Sequence, residues 1–159
     1  MRATLRELGE RDLPFLKEML VAAALWRGGG PEPEDLLAHP KARIFYEGWG
    51  RRGDAGLVAE EGDRRIGAVW YRLFTEESHG DGFVDEETPE LAIGVVSDAR
   101  GQGVGRALMI ALHDRARADG VRRIALSVNF DNPAKRLYES LGYVDLEEND
   151  PQERMILEL

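Results

Sequence analysis

Seven consecutive residues carry the strongest chemical signal in the chain: Arg100, Gly101, Gln102, Gly103, Val104, Gly105 and Arg106. Three glycines at alternate positions remove the Cβ atoms that would hold a ligand away from the backbone, so several N–H groups can converge on one anion. The apolar run Leu91, Ala92, Ile93, Gly94, Val95, Val96 leads into this turn, and residues 104–119 leave it with helical periodicity. A helix N-terminus adds partial positive charge at the same place, and Arg100 and Arg106 add fixed charge on either side. The chemistry expected is recognition of a phosphate or pyrophosphate. The competing reading is a plain strand-to-helix turn, where glycines are also common.

Other chemistries find less support. The chain has no cysteine, which removes a thiol nucleophile, a thiolate metal site and any disulfide framework. His39, His79 and His113 show no metal-ligand spacing, so no metal is expected. His113 stands beside Asp114 on a charged helix flank and is expected to face solvent. No Gly-x-Ser-x-Gly elbow occurs. A net charge of −9 disfavours nucleic acid and anionic membrane surfaces, both of which need a basic face. The N-terminal residues lack an apolar core of signal length and no stretch approaches a membrane span, so the cytoplasm is the expected compartment.

The elements that must position the turn follow from periodicity. The 159 residues fit one domain with a substantial core. Residues 3–8 alternate as a weak first strand, and Leu13, Leu16, Leu20 and Ala24 mark an amphipathic helix. Gly28, Gly29, Gly30 and Pro31 break it, and short helices are expected at 34–38 and 42–47. A hairpin is expected from 55–60 and 65–73 around the turn at Gly62, then an acidic loop at 75–89. The continuous apolar run at 91–96 predicts a central strand buried on both faces, with Gly94 allowing close approach of a ligand. After the helix come a strand at 121–128, a helix capped by Asn132 and Pro133 and ending at Gly142, and strands at 143–146 and 155–159. Trp26, Trp49 and Trp70 are expected to pack, with Trp49, between two glycines, a further candidate for an acceptor pocket. The order is β, α, α, β, β, β, α, β, α, β, β: an α/β (α+β) chain with a mixed centre and antiparallel hairpins at both ends.

The turn does not match the familiar phosphate cradles. A dinucleotide fingerprint needs a third glycine where Arg106 stands, and a Walker loop ends in Gly-Lys-Ser/Thr where this chain has Gly105, Arg106 and Ala107. The pattern Arg/Gln-x-x-Gly-x-Gly/Ala does match, as Arg100, Gly103 and Gly105. Downstream, the run Asn132-Pro-Ala-Lys-Arg-Leu-Tyr138-Glu-Ser-Leu-Gly142-Tyr143 resembles the signature Asn-x-x-Ala-x-x-Leu-Tyr-x-x-x-Gly-Phe/Tyr. Together, in this order, the two motifs resemble the GNAT superfamily of acyl-CoA-dependent N-acetyltransferases over residues 90–143.

That resemblance implies a GNAT fold: a mixed, mostly antiparallel twisted sheet of six to seven strands with about four helices. It implies acetyl-CoA as co-substrate. Arg100, Gly101, Gln102, Gly103, Val104, Gly105 and Arg106 would bind its pyrophosphate, Val95 and Val96 its pantetheine amides, and Asn132 belongs to the same cofactor set. It implies acetyl transfer to a primary amine by direct attack. Tyr138 is then the candidate general acid and Glu90 the candidate base, acting through water, with a backbone N–H of the 91–96 strand polarising the carbonyl. Each side chain has a structural alternative: Tyr138 as a core residue on a helix face, Glu90 as the last acid of the acidic loop. That loop would either attract a cationic amine or be a solvated, mobile connection. A non-catalytic acyl-CoA sensor and a homodimer both stay open, and residues 20–90 are expected to hold acceptor specificity.

Overall fold

The computed structural model describes residues 2–159; Met1, the first residue of the N-terminal stretch, lies outside them. Seven strands form one sheet in the order β1-β2-β3-β4-β5-β7-β6. They are β1 (Thr4–Glu7), β2 (Ala55–Glu61), β3 (Arg64–Arg72), β4 (Glu90–Val95), β5 (Arg123–Ser127), β6 (Val144–Asp145) and β7 (Arg154–Glu158). Five helices accompany them: α1 (Leu13–Ala24), α2 (Pro33–Ala38), α3 (Pro40–Arg43), α4 (Val104–Ala118) and α5 (Ala134–Ser140). The helix expected at 42–47 starts earlier and is shorter, because Pro40 occupies its first turn and His39 caps it by accepting from the Lys41 amide.

Alternation in β2, β3 and β4 sends side chains to two cores. On one face Val58, Ala68 and Trp70 pack with Phe15, Leu16, Met19 and Leu20 of α1. On the other Val69, Tyr71 and Leu91 pack with Leu108, Met109 and Leu112 of α4, three residues with no exposed surface. Each such side chain stabilises the fold by about 1.5–3 kcal/mol relative to exposure. His113 belongs to this second core rather than to solvent: it is 4% exposed, and its Nε2 lies 2.9 Å from the equally buried Tyr143 hydroxyl. Trp70 packs as expected, donating through Nε1 to the Phe45 carbonyl.

The sheet is antiparallel except between β4 and β5, and there it scarcely pairs. Glu90 and Ala125 are the single register pair, with the Ala125 amide donating to the Pro89 carbonyl at 3.0 Å. Beyond that point β5 follows β7 and β4 follows β3, so the two strands diverge. The divergence corrects the expectation that residues 91–96 are buried on both faces. Ala92, Ile93 and Val95 are only half-buried, because the strand borders a cleft instead of a neighbour. Gly94 has a second demand on it. A Cβ there would stand 2.5 Å from the Met19 carbonyl, so the packing of α1 also requires glycine at this place in the cavity wall.

Candidate active site

The cleft opened by the divergence is a cavity of about 890 Å³ that reaches from the glycine turn to Glu90. At the turn, Gly101 and Gly103 have φ of 75° and 85°, the left-handed region where other residues are strained. A Cβ at either would meet nothing, so these glycines serve the backbone path and leave open space before it. The first amide of this end bonded within the helix is that of Ala107, to Gly103. The N–H groups of Val104, Gly105 and Arg106 therefore face outward from the positive end of α4. Arg100 and Arg106 are anchored beside them, Arg100 Nε to the Val95 carbonyl at 3.2 Å and Arg106 Nη2 to Ser140 Oγ at 2.8 Å. This donor set and space fit a pyrophosphate.

The free edge of β4 forms one wall. The Val96 amide donates to Ile66 of β3, and alternation turns the backbone groups of Val95 and Ile93 to the side where β5 has departed, beyond the one parallel pair at Glu90. Those groups are available to an extended, amide-bearing ligand, except that the Val95 carbonyl already accepts from Arg100. Val96 is placed differently from Val95: its amide is spent inside the sheet, and it does not line the cavity.

Two titratable side chains meet at the divergence. Glu90 is 2% exposed and accepts from the amides of Gly80 at 3.1 Å and Gly82 at 2.9 Å. Burial pushes its carboxyl up to about 7 against the pull of those two donors, which brings a glutamate into the range of a useful base. Tyr138, near the end of α5, lines the cavity from the opposite side and is 7% exposed. Burial pushes its hydroxyl to about 12, so it stays protonated at neutral pH. Among the described residues no sealed side-chain polar atom lacks a partner, so the Tyr138 hydroxyl, which bonds no protein group, opens to the cavity. Its ring also packs 6.0 Å from Tyr143, so the core reading of Tyr138 describes its ring and the catalytic reading its hydroxyl.

The far wall comes from residues distant in sequence. Arg72 at the end of β3 has no exposed side-chain surface and pairs with Asp54, itself 4% exposed. Its remaining donors go to the carbonyls of Ile44, Glu47 and Gly48. One buried guanidinium thereby ties down residues 44–54 and sets Phe45, whose ring meets Phe74 edge-on at 5.2 Å, into the cavity. Lys41 and Asp81 pair across the cavity margin beside Glu90. Trp49 stacks over Arg72 at 5.5 Å and does not line the cavity; Trp26 does, contrary to the packing role expected of it. The acidic loop is not a free connection. Asp85 holds Arg123, Glu86 accepts from the Glu76 amide, and the Phe83 carbonyl accepts from Arg154.

The structure brings together Glu90, Tyr138, Val95, Arg100, Gly101, Gly103, Val104, Gly105, Arg106 and Asn132 around one cavity. Gln102 is outside it, its amide nitrogen turned back to the Asp98 carbonyl at 3.4 Å. Asn132 spends its Oδ1 on the Ala134 amide at 2.9 Å, capping α5, which leaves its NH2 group for a ligand. Sequence reasoning missed Lys41, Phe45 and Gly80, and placed Asp81 only in the acidic loop. The alternating glycines around Asp81 were the available signal for the last two.

The comparisons agree with this geometry. Residues 18–143 match the family model described as Acetyltransferase (GNAT) family. The L-methionine sulfoximine/L-methionine sulfone acetyltransferase of Pseudomonas paraeruginosa is 28% identical over 149 residues, covering 90% of this chain and 81% of that protein. The L-amino acid N-acyltransferase MnaT of Escherichia coli is 31% identical over 127 residues, 79% of this chain and 67% of that protein. Mycothiol acetyltransferases also match, that of Actinosynnema mirum at 37% identity over 92 residues, but the chain spans only 28% of its length. Among solved structures, the ribosomal-protein-alanine N-acetyltransferase of Brucella melitensis superposes with a TM-score of 0.70 at 25% identity, covering 98% of this chain and 99% of that one. With a family model matched over most of its length, the chain belongs to the acetyltransferase (GNAT) family.

Proposed function

We propose that the protein moves an acetyl group from acetyl-CoA to a primary amine by direct attack of the amine. The observation that carries this reading is one cavity joining an anion cradle, an unpaired strand edge, a buried carboxyl and a buried phenol. Acetyl-CoA would supply the activated acyl group, its pyrophosphate on the amides of residues 104–106 and its arm along the free edge of β4. A backbone N–H of that edge polarises the acyl carbonyl. Glu90 takes the proton the amine loses as its nitrogen bonds to the acyl carbon. Tyr138 donates to the sulfur as the C–S bond breaks, and solvent returns the proton from Glu90 to Tyr138. With no cysteine in the chain, an acyl-cysteine intermediate has no site.

The acceptor proposed is a small amino-acid-like amine. Relatives matched over most of their own length are named for L-methionine sulfoximine or sulfone and for L-amino acids. Lys41 gives the cavity a cation, kept charged by Asp81, at the margin where an acceptor carboxylate would lie. The test is CoA release from acetyl-CoA across a panel of amino acids, polyamines and peptides, with Tyr138→Phe as control. Release with amino acids that drops in the control supports the reading. Tight acetyl-CoA binding without release by any acceptor would make the protein a sensor instead, and failure to bind would remove the cradle.

A further inference from the structure

Eleven glycines of this chain have positive φ, which explains glycine at those places by backbone conformation. Gly80 and Gly82 are not among them. What they need is room. A Cβ on Gly80 would stand 2.3 Å from Glu90 Oε2 and 2.9 Å from Oε1. A Cβ on Gly82 would stand 2.8 Å from the Leu126 carbonyl carbon, 2.9 Å from the Ser127 nitrogen and 3.1 Å from Glu90 Cγ. The same two residues donate their amides to the two carboxylate oxygens of Glu90. Asp81 between them turns away to Lys41. The loop is itself braced: His79 stacks on Phe83 at 4.2 Å and bonds the Gly80 carbonyl, and Arg154 holds the Phe83 carbonyl.

We propose that Gly80 and Gly82 are positioning residues, a two-amide holder that fixes one orientation of the Glu90 carboxylate toward the acceptor and wedges against β5 where the strands part. The proposal rests on Glu90 being the base. It assigns residues 79–83 a different task from attracting a cationic amine. Their backbone faces the base, while the loop's acidic side chains are occupied by Lys41, Arg123 and the Glu76 amide. No side chain larger than hydrogen can bring both amides this close to a buried carboxylate from both sides.

The charged groups around Glu90 are few. Asp81 favours its protonated form, and His79 and Lys41 favour the ionised one. Arg72, its cross-strand neighbour on β3, is bound to Asp54 and backbone carbonyls. Tyr138 faces the same cavity as a neutral phenol. Loss of an amide donor in this setting removes part of what opposes burial, so Glu90 should hold its proton to higher pH.

The experiment uses Gly80→Ala, where the added methyl meets the end of a side chain rather than backbone. Carboxyl-labelled NMR titration of Glu90, with and without the substitution, reads the holder directly and needs no turnover. The expected result is an upward shift of the midpoint with acetyl-CoA affinity unchanged. In the acceptor assay kcat should fall by about tenfold or more, with the acid limb of its pH profile moved up. In a Glu90→Gln background the same substitution should change kcat by less than about twofold, since both act through one group. An unmoved or lowered midpoint, or full additivity of the two substitutions, overturns the proposal. If the wild type transfers no acetyl group at all, the function above fails while the titration still decides the holder. If Gly80→Ala does not fold, Gly80→Ala with Glu90→Asp replaces it. The shorter acid clears the methyl, and failure of that pair to fold also overturns the idea.

Discussion

The two ends of the cleft are made from different material. The anion end is backbone: two left-handed glycines, the first turn of α4 and the unpaired edge of β4, all within residues 91–106. The acceptor end is side chain and long range. Phe45, Lys41, Asp81 and Glu90 come from three segments, gathered by Arg72 on Asp54 and by the glycine amides on Glu90. A backbone site needs glycine, and glycine shows in a sequence. A side-chain site needs only that distant segments be held, so its parts have ordinary identities. The same difference makes the ends separable by mutation.

Asp54→Ala should have the largest effect. It leaves the Arg72 guanidinium buried without its counter-charge, which costs about 3–5 kcal/mol, read as a lower urea midpoint. The residual fold should show a raised acceptor KM with unchanged acetyl-CoA affinity. A parallel loss of acetyl-CoA binding would break the comparison. Glu90→Gln should lower kcat by about 10²-fold or more, the contribution of a positioned base, while acetyl-CoA binding stays. The pH profile carries the sign. As the proposed base, Glu90 would work ionised, so wild-type kcat should rise with pH through about 7, and that limb should vanish in the variant.

Gly103→Ala is the mirror test. It places a Cβ on a residue with φ of 85°, a conformation that costs about 1–2 kcal/mol in other residues. Stability should fall by that order and acetyl-CoA affinity with it, the acceptor KM staying level. The smallest effect belongs to His113, which bonds Tyr143 and does not line the cavity. Burial holds its imidazole down to about 4 from 6.5. A depressed histidine favours the fold above its unfolded pKa, and that contribution is lost as pH falls from 6.5 toward 4. His113→Gln should therefore unfold less steeply with acid across that window, with neither substrate parameter moved.

Much of the chain was legible before folding because the signals were local. Periodicity marked α1 and α4 and turn residues marked the hairpin; the two motifs placed Arg100, Gly103, Gly105 and Tyr138 in the order the cleft requires. The misreadings share a cause. His113 looked exposed because only its neighbour Asp114 was visible, whereas Tyr143, thirty residues on, buries and bonds it. Residues 91–96 looked buried on both faces because an apolar run does not reveal that its neighbour leaves after one pair.

Residue order alone determined the class of fold, the anion cradle and its family resemblance, since backbone conformation, helix ends and glycine requirements act within a few residues. Tertiary structure alone decided what stands opposite that cradle. Desolvation raises the proton affinity of Glu90, and desolvation depends on everything that surrounds a group. The Gly80 and Gly82 amides, the Arg72 clamp and the parting of β4 from β5 are likewise relations between segments far apart in the chain.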